Sequence, residues 1–265
     1  MGNDFVQLES PTREQAQDIV ISLDQVVDAL ERAYAYVDTA GSDLDRLRFA
    51  VLLEKAAPED LLEAFGNMQS EEGFFATGSE TATLESSLEV LAALDDCGLL
   101  GDARLKPWVQ AVSKGQASDG MWLGETRTQK ATADERLALC GMLAAFLVKS
   151  GSARIVIVDA ALEAMAEAWS TERVGADFCP LLASYFHLLT LASHEIGDEA
   201  LQWCGRELEK GLRGGAVSGL EVARILLFCD AYALPGVSMD GGRLIPEILR
   251  EQQADGSFPT RENAL

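Results

Sequence analysis

The sequence has few basic residues for its length. It carries 21 lysines and arginines against 43 aspartates and glutamates, which gives a net charge of −22. Such a charge repels the phosphate backbone of nucleic acids and the anionic surface of membranes. We therefore expect neither a nucleic-acid partner nor a role at the membrane surface.

The sequence also lacks an apolar run of the roughly 18 residues that a membrane-spanning helix requires. Its N-terminal segment has no basic flank followed by an apolar stretch, so it does not have the pattern of a secretory signal. The five cysteines are scattered through apolar stretches, and an odd number is typical of reduced, buried thiols. These features predict a cytoplasmic protein without a membrane span.

Three short segments share a glutamine, a glycine-containing turn and an aromatic residue. They are QSEEGFF from Gln69, QASDGMW from Gln116 and QQADGSFP from Gln252. Their spacing fits a repeat of about 45 residues, with two weaker copies near Glu167 and Arg206. The glutamine can bond to backbone groups, the Asp-Gly pair favours a turn, and the aromatic can pack on a neighbouring unit. We predict that these segments connect neighbouring units and take no part in catalysis.

Strongly apolar segments alternate with amphipathic ones along the chain. The apolar segments cover 81–98, 132–151, 177–197 and 218–236, and each ends on a glycine, as helices commonly do. A helix that is apolar on every side must be covered on every side, whereas an amphipathic helix can face water. This alternation predicts an all-α fold, an inner ring of apolar helices inside an outer ring, built from about five to six helical hairpins. We expect residues 42–265 to form this domain and residues 1–41, with the first helix, to pack on it.

The same residues carry a resemblance to known families. The QxxDGxF/W pattern at 116–122 and 252–258 resembles the repeat of squalene and hopene cyclases. The stretch QSEEGFFATGSETATLESSLEVLAAL from Gln69 resembles the repeats of protein prenyltransferase β subunits. Both families are α/α toroids, and the resemblance covers most of residues 43–265. It implies that fold, while the fold supports several unlike chemistries.

In a toroid of this type the N-termini of the inner helices meet at one mouth of the ring. Acidic residues stand at these positions, namely Glu85, Asp134, Glu135, Asp177 and Glu221. The linkers entering the same mouth carry basic residues, namely Arg127, Lys130, Arg173 and Arg213. We expect the carboxylates to act on a substrate there, with Arg127, Lys130 and Arg173 holding an anionic group of it.

The segment TADERLA at 132–138 resembles the acidic box of class II terpene cyclases. Asp134 stands where those enzymes have the proton donor, and Glu135 where they have the last aspartate; Thr132 replaces the first. The resemblance implies that Asp134 is the catalytic acid, supported by Glu135 and Asp177. The alternative is structural, because Thr132 and Glu135 also fit the S/T-x-x-E capping box of a helix N-terminus, as do Ser218 and Glu221.

The segment ADFCPLLASYFHLL at 176–189 resembles the zinc-binding segment of prenyltransferase β subunits, with Asp177 and Cys179 in the matching places. Those enzymes use a later histidine as well, and neither His187 nor His194 stands there. His187 follows Cys179 by eight residues, about 12 Å along a helix, too far to share one metal ion. We therefore expect no cofactor, and zinc at Asp177 and Cys179 is the alternative.

Aromatic residues on the inner helices could line a cavity and stabilise a cation. The candidates are Tyr185, Phe228 and Tyr232, with His187 beside them; the alternative is that they belong to an ordinary core. Asp95 and Asp96 end a predicted helix, and we interpret them as surface acids.

Three functions remain open from the sequence. The first is a terpene-cyclase-like biosynthetic enzyme that cyclises a small molecule by acid/base or cationic chemistry. The second is a non-catalytic toroid that binds a ligand or a second protein subunit. The third is a zinc-dependent prenyltransferase.

Overall fold

The computed structural model describes residues 21–76, 81–122, 131–175, 177 and 179–259. Within these residues the regular structure is helical, apart from isolated β-bridges such as that between Gln69 and Phe75, so the predicted all-α class is confirmed. The eleven α-helices of the described residues are α1 Leu23–Ala40, α2 Asp43–Leu52, α3 Pro58–Gly66, α4 Leu84–Asp96, α5 Lys106–Gly115, α6 Ala133–Lys149, α7 Ile155–Ala168, α8 Cys179–Leu191, α9 Gly197–Gly214, α10 Gly219–Phe228 and α11 Gly241–Glu251.

Several helices begin where a hydroxyl side chain precedes the first turn. Capping boxes open α1, α2, α4, α6 and α10, each with a serine or threonine that accepts a bond from the third backbone N–H. The boxes at Thr132 and Ser218 are the ones that the sequence pattern predicts. Each box satisfies N–H groups that would otherwise lack a partner at the helix start.

The predicted helix ends hold for two of the four apolar segments. Gly98 and Gly151 follow α4 and α6 with positive φ, as expected. The segments 177–197 and 218–236 are predicted too long, because α8 ends at Leu191 and α10 at Phe228. Gly197 instead begins α9, and Asp230 takes the left-handed backbone after α10 with φ 51°.

Helices α6 and α8 are the most deeply buried parts of the fold. Every residue from Leu137 to Leu147 and from Leu181 to Leu189 is buried. The two helices approach closely, since a Cβ added to Gly141 would lie 2.7 Å from the Cβ of Ser184. Helices α4 and α10, predicted to be covered on every side, expose residues such as Glu89 and Leu227.

The remaining helices surround this pair. Helix α6 packs against α8, α7 and α4, and α8 packs against α9 and α10. Helix α10 also contacts α11 and α4. The amphipathic helices α5, α7 and α9 bury one side, with Trp108, Leu162 and Leu208 among their buried residues, and expose the other.

The three glutamine turns, residues 69–75, 116–122 and 252–258, share one set of contacts. The side-chain amides of Gln69, Gln116 and Gln252 each donate to the backbone oxygen of the glycine four residues later, at 2.9, 2.9 and 3.1 Å. Two of these amides also bond to a distant helix, Gln116 to Ile157 O at 2.8 Å and Gln252 to Ala29 O at 2.9 Å. The predicted backbone bonding of the glutamines is therefore confirmed.

Each turn lies on the backbone of an amphipathic helix. A Cβ on Gly73 would lie 2.7 Å from Pro107 O in α5, and one on Gly120 would lie 2.2 Å from Ala160 O in α7. The weaker copies make similar contacts: Trp203 of α9 donates to Val174 O at 2.8 Å, and Gly219 N–H donates to Glu251 of α11 at 2.7 Å. The last glutamine turn reaches back to α1.

The contact between the last glutamine turn and α1 can be measured with a pair of glycine variants. Gly98 and Gly256 both have positive φ, but only Gly256 touches another helix, since its Cβ would lie 2.1 Å from Arg32 O. We expect Gly98→Ala to cost about 1 kcal/mol from backbone strain. Gly256→Ala should lose about 1–3 kcal/mol more from the overlap. Urea unfolding measures both, and equal losses would contradict this contact.

Candidate functional site

The N-terminal end of α6 brings together two of the predicted site residues. The Nε of Arg173 lies 2.9 Å from Asp134 Oδ1, and both side chains are partly exposed. The pair meets the distance for an ion pair but not the geometry of a hydrogen bond, since Oδ1 has no hydrogen-bond partner. Asp134 thus lies beside a guanidinium in the first turn of α6.

Glu135 is engaged with its own helix start. The N–H of Thr132 donates to Glu135 Oε2 at 2.6 Å, and the N–H of Glu135 donates to Thr132 Oγ1 at 3.2 Å. This bond from Thr132 holds the pKa of Glu135 below its usual range. The capping role that the sequence offered as the alternative is thus present.

Two other predicted residues of the mouth lie at the start of α8. Asp177 is exposed just before α8, and Cys179 begins that helix partly buried. Arg127 and Lys130 lie outside the described residues. Within the described part of the chain, no three His, Cys, Asp or Glu side chains come close enough to hold a metal ion.

The predicted cavity-lining residues Tyr185, His187 and Phe228 lie in the core. The Tyr185 hydroxyl donates to Met165 O at 2.8 Å, and its ring meets that of Trp169 edge to face at 5.0 Å. The His187 ring lies 4.1 Å from that of Phe228. Tyr232 is different, because it lies beyond the end of α10 and is 70% exposed.

A buried ion pair at the opposite end of the apolar helices was not expected from the sequence. Lys149, the last residue of α6, lies 2.7 Å from an oxygen of Asp95 in α4. Its ammonium also donates to Phe228 O at 2.6 Å and lies 4.6 Å from the centre of the Phe228 ring. Lys149 therefore joins the ends of α4, α6 and α10.

The interpretation of Asp95 as a surface acid is wrong. Its side chain is only 9% exposed, and burial raises its pKa although the bond from Lys149 opposes that rise. Asp96 does reach the surface, where it pairs with Arg48. The adjacent acids point to different sides of α4, a difference that depends on which neighbour covers each side.

His187 is a buried titratable group close to this ion pair. Its Nδ1 lies 2.9 Å from the sulfur of Met142, and its Nε2 has no partner. Burial, and then the charge of Lys149, lower the pKa of His187 to about 3. The imidazole is therefore neutral at pH 7.

The thiols partly follow the prediction. Cys140, Cys204 and Cys229 are buried, whereas Cys97 and Cys179 are only partly buried, and none forms a disulfide. Burial raises the pKa values of the three buried thiols to about 12. These three therefore remain protonated at neutral pH.

Comparison with models of known protein families, with curated proteins and with solved structures gives no match to this chain. Among the helices of the described residues, none is both long and apolar enough to span a membrane. The candidate site thus has to be interpreted from its own geometry.

The Lys149–Asp95 pair should be sensitive to loss of one partner. Lys149→Met leaves the Asp95 carboxylate buried without its cation, and we expect a loss of about 3–5 kcal/mol in unfolding free energy. The matched double variant Lys149→Met/Asp95→Leu should recover most of this loss, because an apolar pair needs no compensating charge. A double variant as unstable as the single one, measured by urea unfolding, would contradict this assignment.

His187 should make the protein less stable in acid. Between pH 6.5 and about 3 the unfolded chain binds a proton at this site that the folded chain does not. The unfolding free energy should therefore fall with decreasing pH by about 1.4 kcal/mol per unit from this group. We expect His187→Gln to remove this contribution from the pH dependence of the unfolding free energy, measured by urea unfolding between pH 7.5 and 5.5.

A pH dependence of the unfolding free energy that His187→Gln leaves unchanged would show that His187 is not neutral in the folded protein.

Proposed function

We propose that the chain is a closed α/α toroid that works as a protein-binding subunit. The succession of contacts supports the ring: α4, α6, α8 and α10 touch in order, and α10 also touches α4. Each glutamine turn lies on an amphipathic helix, and the last turn lies on α1. In this arrangement α4, α6, α8 and α10 are inner helices, and α5, α7, α9 and α11 are outer ones.

The observation that carries the binding role is the filled interior. The His187 ring lies against Phe228, and Phe228 meets Phe146 edge to face at 5.0 Å. The Met142 sulfur contacts His187 from α6. Small-molecule sites usually need a cleft or cavity of roughly 300–1,000 Å³. Side chains of three inner helices occupy the space that a cyclase would use for its substrate.

Two grooves among the described residues lie away from these side chains. One of about 400 Å³ is formed at the ends of α6 and α8 and the start of α7. Another of about 350 Å³ lies between α1 and α2. Both are open to solvent, which suits a protein partner better than a reactive cation that water must not reach.

The surroundings of Asp134 support the same choice. The donor carboxyl of a class II cyclase needs burial or a nearby like charge. Asp134 is partly exposed, and its charged neighbour is the guanidinium of Arg173.

A cyclase with Asp134 as acid, supported by Glu135 and Asp177, is the second candidate. What favours it is the same ion pair, since Arg173 could hold an anionic leaving group beside the carboxyl. The zinc-dependent prenyltransferase, with Asp177 and Cys179 as ligands, has less support, because neither histidine is near enough to those residues to form a three-residue group with them.

Native mass spectrometry of the protein, purified gently from its host, tests this choice. We expect a complex of defined stoichiometry with a second polypeptide. The complex should persist in Asp134→Asn and in Arg173→Gln, because the binding role does not use the ion pair.

The opposite result would be a small molecule retained by the parent and lost in both variants. That pattern would place the ligand at the mouth and favour the cyclase. A zinc ion that disappears in Cys179→Ala would favour the prenyltransferase instead.

A further inference from the structure

Helix α1 exposes a row of large apolar side chains. Leu23, Val27, Leu30 and Tyr34 are 77%, 43%, 57% and 41% exposed. Their spacings of four, three and four residues place them on one side of the helix. We call these four residues the α1 stripe. Exposed apolar rows of this kind are typical of interaction surfaces in soluble proteins.

A row of acids runs beside the α1 stripe. Asp24, Glu31 and Asp38 are all exposed and stand seven residues apart, so they share one edge of the stripe. Arg32 is the one basic residue of the helix, and it lies on another side, where it donates to Gln252 at 2.8 Å. The stripe therefore has an acidic edge.

The other side of α1 is held by the fold. Ala29 is buried, and its backbone oxygen accepts the bond from Gln252. Gly256 lies against the backbone of Arg32. The last glutamine turn thus positions α1 without covering the stripe.

A groove continues from the end of the stripe. Val37 follows Tyr34 by three residues and lines the groove of about 350 Å³ between α1 and α2, together with Phe49 and Leu52. A groove of this size can accept a large apolar side chain as an anchor. The Tyr34 ring meets that of Phe49 with centroids 5.8 Å apart, so the stripe reaches the groove, and the Lys55 ammonium lies over the same Tyr34 ring at 4.3 Å.

We infer that the α1 stripe is the docking surface for an amphipathic α-helix of another protein, one with lysine or arginine along its edge. This inference rests on the proposed binding role and names its surface. The row of anchors at i, i+4, i+7 and i+11 matches the helix-in-groove mode of recognition. The acidic edge then selects the sign of charge on the partner.

Charge also argues against a second copy of this chain as the occupant. Two α1 stripes packed antiparallel would bring their acidic edges close to each other, and like charges at such positions oppose pairing. Each copy would add a net charge of −22, which repels over a longer range. A partner helix with a basic edge avoids both of these repulsions.

The test uses two synthetic helical peptides of three heptads with leucine at the core positions. One carries lysine along its edges and the other carries glutamate. Fluorescence anisotropy with the full chain should give saturable binding of the lysine peptide, at least about tenfold tighter than the glutamate peptide. Reversing the edge with Asp24→Lys/Glu31→Lys/Asp38→Lys should reverse this preference.

Leu30→Asp separates docking from general attraction between opposite charges. The variant adds a negative charge, which would strengthen nonspecific binding of the lysine peptide but places a carboxylate in the centre of the stripe. We expect its Kd to rise about tenfold or more. The matched control is Leu227→Asp on α10, where the replaced residue is 70% exposed. It adds the same charge away from the stripe and should leave the Kd unchanged.

Equal Kd values for Leu30→Asp and Leu227→Asp would overturn the inference. A dimer in sedimentation velocity that Leu30→Asp dissociates would show that a second copy occupies the stripe, and would overturn it too. Peptide binding that appears only in the variant Phe5→Asp/Val6→Asp would also overturn the inference. It would show that the chain's own N-terminal segment occupies the α1 stripe.

These outcomes are distinct from failure of the proposed function. A native complex with a second polypeptide that survives Leu30→Asp keeps the binding role but moves it to another surface. A small molecule lost in Asp134→Asn removes the binding role whatever the peptides do.

Discussion

Helices α6 and α8 have long stretches without a polar side, and the rest of the fold has to cover them. Eleven consecutive residues of α6, from Leu137 to Leu147, are buried, so no side of that stretch can face water. Each such residue contributes about 1.5–3 kcal/mol when it is large and fully covered. The neighbours α4, α7, α9 and α10 supply that cover, and their own polar sides then form the surface.

Covering α6 to its end also buries charge. Lys149 closes the helix where α4 and α10 meet it, and Asp95 together with Phe228 O satisfies the ammonium. Such a pair contributes little net stability compared with apolar residues of the same size, but it tolerates few alternative arrangements. The three helix ends are thereby held in one register. His187 adds a cost nearby, because its Nε2 is buried without a partner.

The sequence predicts those parts of the fold that depend on local pattern. The glutamine turns and the capping boxes at Thr132 and Ser218 need only a few adjacent residues, and they are found as predicted. Helix ends were less predictable where an aspartate rather than a glycine takes the left-handed backbone, as at Asp230. The turns, the capping boxes and the helix ends all depend on residues that are only a few positions away in the sequence.

Features that depend on distant neighbours were predicted less well. Asp95 and Asp96 are adjacent in sequence, yet one is buried with Lys149 and the other reaches Arg48. The grouping of Asp134 with Arg173 was anticipated because the sequence analysis places both at the same mouth of the predicted ring. Whether the interior is open or filled depends on the packing of three helices, and composition alone does not determine it.

The position of α1 links the scaffold to its proposed use. It has one buried residue, Ala29, and its hold on the fold comes largely from the last glutamine turn and from α2. A helix bound to the α1 stripe would add apolar cover to this weakly buried element. Because the bound helix and the glutamine turn would then stabilise the same helix from different sides, each would strengthen the other, and such coupling is reciprocal. Partner binding and closure of the proposed ring would therefore be linked through α1.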